Sequence, residues 1–168
     1  EAEILGLETE TRYQATENVQ LSVNYAYTDA TLAKDFLSAE TTPPTVLAAE
    51  GDRLPGSSKD TFTLAADWQI SLTSILDLSV YASYVYSSSR PSSLVSGGVT
   101  SASSDIPSSE IVNLSASVAH DNGVTLSLFA NNLFDERAIQ FRSGLGIALE
   151  SVTVNRPRTV GLRAGYRF

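Results

Sequence analysis

Cysteine is absent from the 168 residues, which excludes a disulfide framework and a thiolate metal site. There is one histidine, His120, and it sits beside a turn signal, where a structural or solvated imidazole is expected rather than a ligand. Positive charge is scarce: 11 Lys and Arg against 19 Asp and Glu leave a net charge of −8, which speaks against a nucleic-acid partner, since that would need a basic patch. No stretch approaches the roughly 18 consecutive apolar residues of a membrane-spanning helix. That absence excludes helical spans only, because a membrane strand alternates and its mean hydropathy, near zero here, conceals the apolar half. The start at Glu1 carries no basic segment followed by an apolar one, so no signal peptide is read and a mature chain or a fragment is expected.

What is present is alternation. In residues 3–14, Leu5, Leu7, Thr9, Thr11 and Tyr13 fall on one face and Gly6, Glu8, Glu10, Arg12 and Gln14 on the other. In 19–28, Val19, Leu21, Val23, Tyr25 and Tyr27 oppose Gln20, Ser22, Asn24, Ala26 and Thr28. Period two is the signature of a strand, whose successive side chains point to opposite faces. The same pattern recurs over 60–70 (Phe62, Leu64, Ala66, Trp68, Ile70), 76–86 (Leu76, Leu78, Val80, Ala82, Tyr84, Tyr86) and 109–120 (Val112, Leu114, Ala116, Val118). It returns in 124–131 (Leu126, Leu128, Ala130) and 157–168 (Val160, Leu162, Ala164, Tyr166, Phe168). The reading is therefore all-β, with seven strands and no convincing helix. Ten such residues tilted about 40° rise roughly 25 Å, the height of a bilayer's apolar band.

The connections alternate in length. They are short at 15–18, 71–75 and 121–123, where Asp121-Asn122-Gly123 is a hairpin signal, and long at 31–59, 87–108 and 135–156. Outer-membrane barrels sort their connections this way, with short periplasmic turns and long extracellular loops. The aromatics sort with them. Tyr13, Trp68, Tyr166 and Phe168 lie at short-turn ends, and Tyr25, Tyr27, Phe62, Tyr84 and Tyr86 at long-loop ends, all on the outward face. Two interfacial girdles are expected from that arrangement. Seven is an odd number, and bacterial single-chain barrels have even ones. Two unpaired edges in hydrocarbon would each cost several kcal/mol per backbone group, so residues 1–168 are expected to be the C-terminal third of a larger antiparallel transmembrane β-barrel, with the C-terminus periplasmic.

Particular motifs sharpen this. The final strand stops on Phe168, which resembles the closing strand of Gram-negative outer-membrane β-barrels. Asn132-Leu133-Phe134-Asp135, then Pro157-Arg158-Thr159-Val160 and Tyr166-Arg167-Phe168, resemble TonB-dependent receptors; Gly6-Leu7-Glu8 and Leu54-Pro55-Gly56 do so more weakly. The resemblance implies about 22 strands around a lumen plug, with the plug, the TonB-contacting segment and the earlier strands lying outside this chain. It also implies import of a scarce substrate such as a ferric siderophore, vitamin B12 or an oligosaccharide, powered by the TonB complex. The expected partners are outer-membrane lipid and lipopolysaccharide, the rest of the receptor, the TonB complex and an unidentified extracellular ligand. A passive or structural outer-membrane barrel (a porin, an adhesion or an assembly protein) and a soluble carbohydrate-binding β-sandwich are the alternatives.

No reaction is expected. Glu8 with Glu10, and Asp67 with Asp77, are carboxylates on one face, but a glycosidase needs one of its pair in an apolar pocket, and the neighbours here are Arg12, Gln14, serines and threonines. No Gly-x-Ser-x-Gly turn is present, and the Asp/Asn/Gly clusters at 121–123 and 131–135 lack EF-hand spacing, so neither a catalytic group, a metal site nor a cofactor is assigned. Glu8, Glu10, Arg12, Asp67, Asp77, Arg163 and Arg167 are read as the lumen and plug-facing set. The last long loop gathers Arg137, Gln140, Phe141, Arg142 and Arg156 in an otherwise acidic chain. Guanidinium groups beside an aromatic suit an anionic or catecholate chelate or a sugar, and equally the phosphates of lipopolysaccharide.

Overall fold

The structure, a computed structural model, describes residues 1–38, 42–94, 105–144 and 150–168, with backbone alone at 143, 144 and 150. It contains thirteen strands among the described residues and no helix: β1 (Ala2–Thr16), β2 (Val19–Leu32), β3 (Phe36–Leu37), β4 (Val46–Ala48), β5 (Asp60–Thr73), β6 (Leu76–Ser87), β7 (Arg90–Pro91), β8 (Asp105–Ile106), β9 (Ser109–His120), β10 (Val124–Asn131), β11 (Ile139–Gly144), β12 (Glu150–Val154) and β13 (Thr159–Tyr166). Seven of them, in the order β1-β2-β5-β6-β9-β10-β13, form one antiparallel meander. These are the seven strands that the alternation predicts.

Register joins their apolar positions into continuous rows, because directly opposite residues share a face. One row runs Tyr13, Leu21, Ala66, Ala82, Leu114, Ala130 and Val160 across all seven strands. The next runs Val19, Trp68, Val80, Ala116, Leu128 and Leu162. The reverse face is mainly polar or small, as in Gln20, Asp67, Ser115 and Gly161, with the rings of Tyr81 and Phe129 in the same row. A one-residue slip anywhere would break both rows, so the patterning itself fixes the pairing.

Two turn positions depend on glycine or asparagine. Gly123 has φ +91°, and a Cβ there would strike the Arg167 carbonyl. Around it, Asn122 Oδ1 accepts from Val124 N at 3.1 Å and His120 Nδ1 accepts from Asn122 N at 3.0 Å. The single histidine is thus a turn-holding group.

Four of the seven strands outrun their expected limits, and β13, at Thr159–Tyr166, falls short of the expected 157–168. β2 continues to Leu32 and β5 to Thr73, leaving only 17–18, 74–75 and 121–123 as tight turns. The three long connections, expected as irregular loops, each hold a two-stranded sheet: β3–β4, β7–β8 and β11–β12. Among the described residues the buried apolar ones gather at this end: Ala30 and Leu32 at the end of β2, and Ala48, Ile106 and Ala138 in the long connections. On the meander the apolar face stands open, with Leu162 83% and Leu5 69% exposed. Among the described residues no second sheet packs on it. The soluble sandwich alternative needs such a sheet and is not what this chain forms.

Candidate functional site

At the end of the meander that carries the long connections, several side chains and backbone groups converge. That end is built from three connections laced together. After β2, residues 52–54 return along the strand through Leu32 N to Asp52 O at 2.9 Å and Leu54 N to Ala30 O at 2.9 Å. Gly56 N then donates to Pro91 O of the second connection at 2.8 Å, and Ser58 Oγ meets Ser87 Oγ at 2.8 Å. Arg53 Nη2 reaches Ser57 O at 3.1 Å and Ser89 O at 3.3 Å. Arg90 carries the lacing on to the third connection, donating to Gln140 O at 3.2 Å.

The base of that third connection is a knot around Asn132, which is 4% exposed. Its Oδ1 accepts from Glu136 N at 2.9 Å, and its Nδ2 donates to Glu136 O at 2.9 Å and Arg156 O at 3.1 Å. Asn132 N donates to Asn113 Oδ1 at 3.0 Å, tying the knot to β9. Asn132 and Asp135 both take positive φ, 52° and 56°, a region that Asn and Asp enter more readily than other side-chain-bearing residues. Asp135 Oδ1 accepts from Arg158 N at 2.8 Å, while Oδ2 faces Arg137 Nη2 at 3.3 Å. The Arg158 N–H, seconded by the Arg137 guanidinium, holds the Asp135 carboxyl below its ordinary range against a smaller opposing push from desolvation. In Asn132-Leu133-Phe134-Asp135, then, the two polar residues shape the turn.

The five loop residues proposed from sequence do not form one cluster. Arg137 is spent on Asp135. Gln140 occupies the bulge between Ile139 and Phe141, where the pairing with β12 shifts. Phe141 and Arg142 are consecutive beyond that bulge, opposite Thr153 and Val152, so they point to opposite faces of the hairpin. Phe141 is exposed and Arg142 half-buried. Arg156 lies past β12, its carbonyl held by Asn132 and the residue exposed. Sequence reasoning missed Asn113, Arg53 and Arg90. The first is one Asn in an ordinary strand, and each arginine reaches a carbonyl remote in the chain, Ser89 O for Arg53 and Gln140 O for Arg90, which no local pattern announces.

The charged set of the polar face is brought onto one side of the meander. Glu8 and Glu10 line a hollow of about 350 Å³ with Asn24, Thr61 and Thr63. Glu10 pairs with Arg12 at 2.7 Å, both side chains exposed, a pair of small energetic weight. Asp77 accepts from Ser71 Oγ at 2.8 Å; Asp67 sits opposite Gln20 and Tyr81. Arg163 lies over the Phe129 ring at 5.8 Å, and that ring covers Gly161. Arg167 falls just past β13, its N–H donating to Gly123 O at 2.9 Å.

On the apolar face the aromatics lie in two groups. Tyr25, Phe62 and Tyr86 form one row towards the long connections, with Tyr27 and Tyr84 in flanking rows and Phe62 6.4 Å from Tyr84. Polar partners stand at the rim: Tyr25 Oη donates to Asp60 at 2.8 Å, and Lys59 lies 5.4 Å over Tyr27 and 3.6 Å from Asp29. Tyr13, Trp68, Tyr166 and Phe168 lie towards the tight turns, with Tyr166 and Phe168 6.4 Å apart. Among the described residues no cluster of three or more His, Asp or Glu side chains could hold a metal. No helix there is long and apolar enough to cross a membrane, which leaves crossing by strands open.

Residues 1–133 match a family model described as TonB dependent receptor-like, beta-barrel. None of the curated proteins matches the chain. Among solved structures it is similar to the siderophore receptor PiuA from Acinetobacter baumannii, with TM-score 0.71 and 23% identity over 97% of this chain and 21% of that one. It is similar to the ferric yersiniabactin uptake receptor FyuA from Yersinia pestis, with TM-score 0.77 and 17% identity over 99% and 24%. A third is the ferric-catecholate import receptor Fiu from K12 E. coli, with TM-score 0.72 and 21% identity over 99% and 21%. At these identities the likeness is one of fold. The chain spans less than a quarter of the length of each of these structures.

Proposed function

The chain belongs to the TonB-dependent receptor β-barrel family, and from that premise we propose that it is the C-terminal third of the β-barrel of an outer-membrane receptor that imports a scarce ferric chelate with TonB-derived energy. The observation that carries the reading is an open seven-stranded meander whose apolar face is uncovered and whose two edges are unpaired among the described residues. Apolar rows of that extent need lipid against them. Free edges in hydrocarbon need further strands, since each unsatisfied backbone group costs several kcal/mol there. The outer membrane supplies the lipid, and the rest of the same receptor supplies the strands along with a plug that faces Glu8, Glu10, Arg12, Asp67, Asp77, Arg163 and Arg167.

The family resides in the Gram-negative outer membrane. We infer that here the tight turns and Phe168 are periplasmic and the three laced connections extracellular. The nine sorted aromatics then sit at the two interfaces, as in other membrane barrels, with lipopolysaccharide around the Lys59 rim. The ferric chelate is preferred over vitamin B12 or an oligosaccharide because the structural neighbours named above are siderophore and ferric-chelate receptors. Phe141 and Arg156, both exposed, offer a ring and a guanidinium group in the third connection, residue types that suit an anionic catecholate complex.

The test is uptake of radiolabelled iron, supplied as catecholate, carboxylate and mixed siderophore complexes, in strains with and without the receptor gene and with and without TonB. The reading expects uptake of at least one complex that needs both. Uptake that needs the receptor but not TonB would point to a passive barrel; none with any complex would remove the ferric assignment.

A further inference from the structure

We propose that Arg90 is a positioning residue: its guanidinium fixes the base of the β11–β12 hairpin and so makes the three long connections one body. This goes beyond the transport reading and holds whatever the ligand is.

The placement begins with a short pairing. β7 and β8 pair through Arg90 opposite Ile106 and Pro91 opposite Asp105. Ile106 is the largest fully buried side chain among the described residues, and β8 lies against β11. That apolar seat holds Arg90 beside the hairpin. The hairpin has a defect at that point, because the pairing of β11 with β12 shifts between Ile139 and Phe141. A bulge leaves its extra residue out of the ladder, so the carbonyls there need another donor. Arg90 supplies it: Nη2 donates to Gln140 O at 3.2 Å and approaches Ile139 O at 3.5 Å, while Nη1 approaches Ser58 Oγ at 3.5 Å.

One rigid fork therefore touches all three connections: Ser58 in the first, its own in the second, and the bulge in the third. Ser58 is itself held by Ser87 Oγ and by Ser88 O at 3.0 Å, so the anchor is the rim of β5 and β6. The bulge sets where Phe141 and Arg142 point, because it sets the pleat of the strand after it. A lysine keeps the charge and most of the stem, but it is a point donor and cannot bridge two groups with a planar fork.

The experiment is hydrogen exchange, read by mass spectrometry, on the full-length receptor in outer-membrane vesicles. Arg90→Ala should speed exchange of peptides covering 139–142 and 150–155 roughly tenfold, as loss of charge-assisted hydrogen bonds at a half-exposed site implies. Peptides within β9 and β10 should be unchanged. Arg90→Lys should restore part of the protection, to within about threefold of wild type. Arg53→Ala, which unties only the first two connections, should leave the hairpin peptides as they were. Unchanged hairpin exchange in Arg90→Ala would overturn the proposal. So would equal acceleration of the hairpin and the β9–β10 peptides, which would make Arg90 a general stabiliser. If Arg90→Ala does not reach the membrane, Ser58→Ala carries the test: removing the fork's anchor should speed the same hairpin peptides, and no change there would overturn the proposal too.

Discussion

Replacing Asn132 by alanine should open the base of the third connection. The side chain makes three hydrogen bonds, to Glu136 N, Glu136 O and Arg156 O, from a site 4% exposed. Each is worth about 1 kcal/mol net, and more if a backbone group is left without a partner. The backbone at 52° adds about 1 kcal/mol, because alanine gains no local compensation in the left-handed region. Asn132→Ala should therefore cost about 3–4 kcal/mol locally, which is roughly two to three decades in the opening equilibrium. Exchange of the Glu136 and Leu133 amides reports it directly, the second because Leu133 N donates to Val112 O across the knot. Asn132→Gly separates the two contributions: it loses the same hydrogen bonds without the backbone strain, and should be milder by about 1 kcal/mol. Acceleration under about threefold in Asn132→Ala, or a glycine variant worse than the alanine one, would refute this reasoning.

Arginine at Leu21, Val80 or Leu162, on the apolar face, should destabilise the assembled barrel by up to about 2–4 kcal/mol, the midplane cost that falls towards the interfaces, whereas arginine at Ser22 or Ser79 should cost far less; equal losses in a liposome unfolding assay would contradict the facing. Gly161→Val should destabilise by about 1–3 kcal/mol through overpacking, because even a Cβ there falls 2.5 Å from the Phe129 ring while one at Gly165 meets nothing; Gly165→Val should be milder, and Phe129→Ala should restore Gly161→Val. The Asp135 carboxyl is depressed by Arg158 N and Arg137, so its stabilisation is complete above the ordinary carboxylate range and lost as pH falls through the depressed value. Exchange of the Arg158 amide, corrected for its intrinsic rate, should rise only in that acidic window, and Asp135→Asn should remove the pH dependence. An epitope at Ser143 should be reached by antibody on intact cells and one at Asn122 should not; an epitope at Ser96 tests the same side, though Ser96 lies outside the described residues.

The meander was legible because each of its strands has two unlike environments. Leu126, Leu128 and Ala130 read as one face and Ser127 and Phe129 as the other, and the register agrees row by row. Asp121-Asn122-Gly123 announced its turn by residue type alone. The short sheets were not legible for the converse reason. Two residues, as in β7 or β8, carry no period, and β11 is interrupted by a bulge before alternation can build up. The five loop residues were grouped by composition, and composition is silent about the pleat that sends Phe141 and Arg142 to opposite faces. Asn132 and Asp135 were picked out as a motif, while their work as left-handed turn residues needed the backbone angles. Arg90 stood in the sequence only as half of an Arg-Pro pair.

The central claim is that β1 and β13 are not neighbours but opposite boundaries of a segment within a larger barrel. Cysteine pairs introduced into the full-length receptor in its native membrane decide it, since this chain contributes no thiol of its own. Val23 and Leu64 are directly opposite on adjacent strands. Such positions lie roughly 4.5–5.5 Å apart between Cα atoms, within disulfide range. That pair should cross-link on oxidation. Pairs that scan Leu7, Thr9, Thr11 and Tyr13 of β1 against Val160, Leu162 and Ala164 of β13 should not cross-link under the same conditions. Efficient cross-linking between β1 and β13 would make the seven strands a small closed barrel and contradict the account.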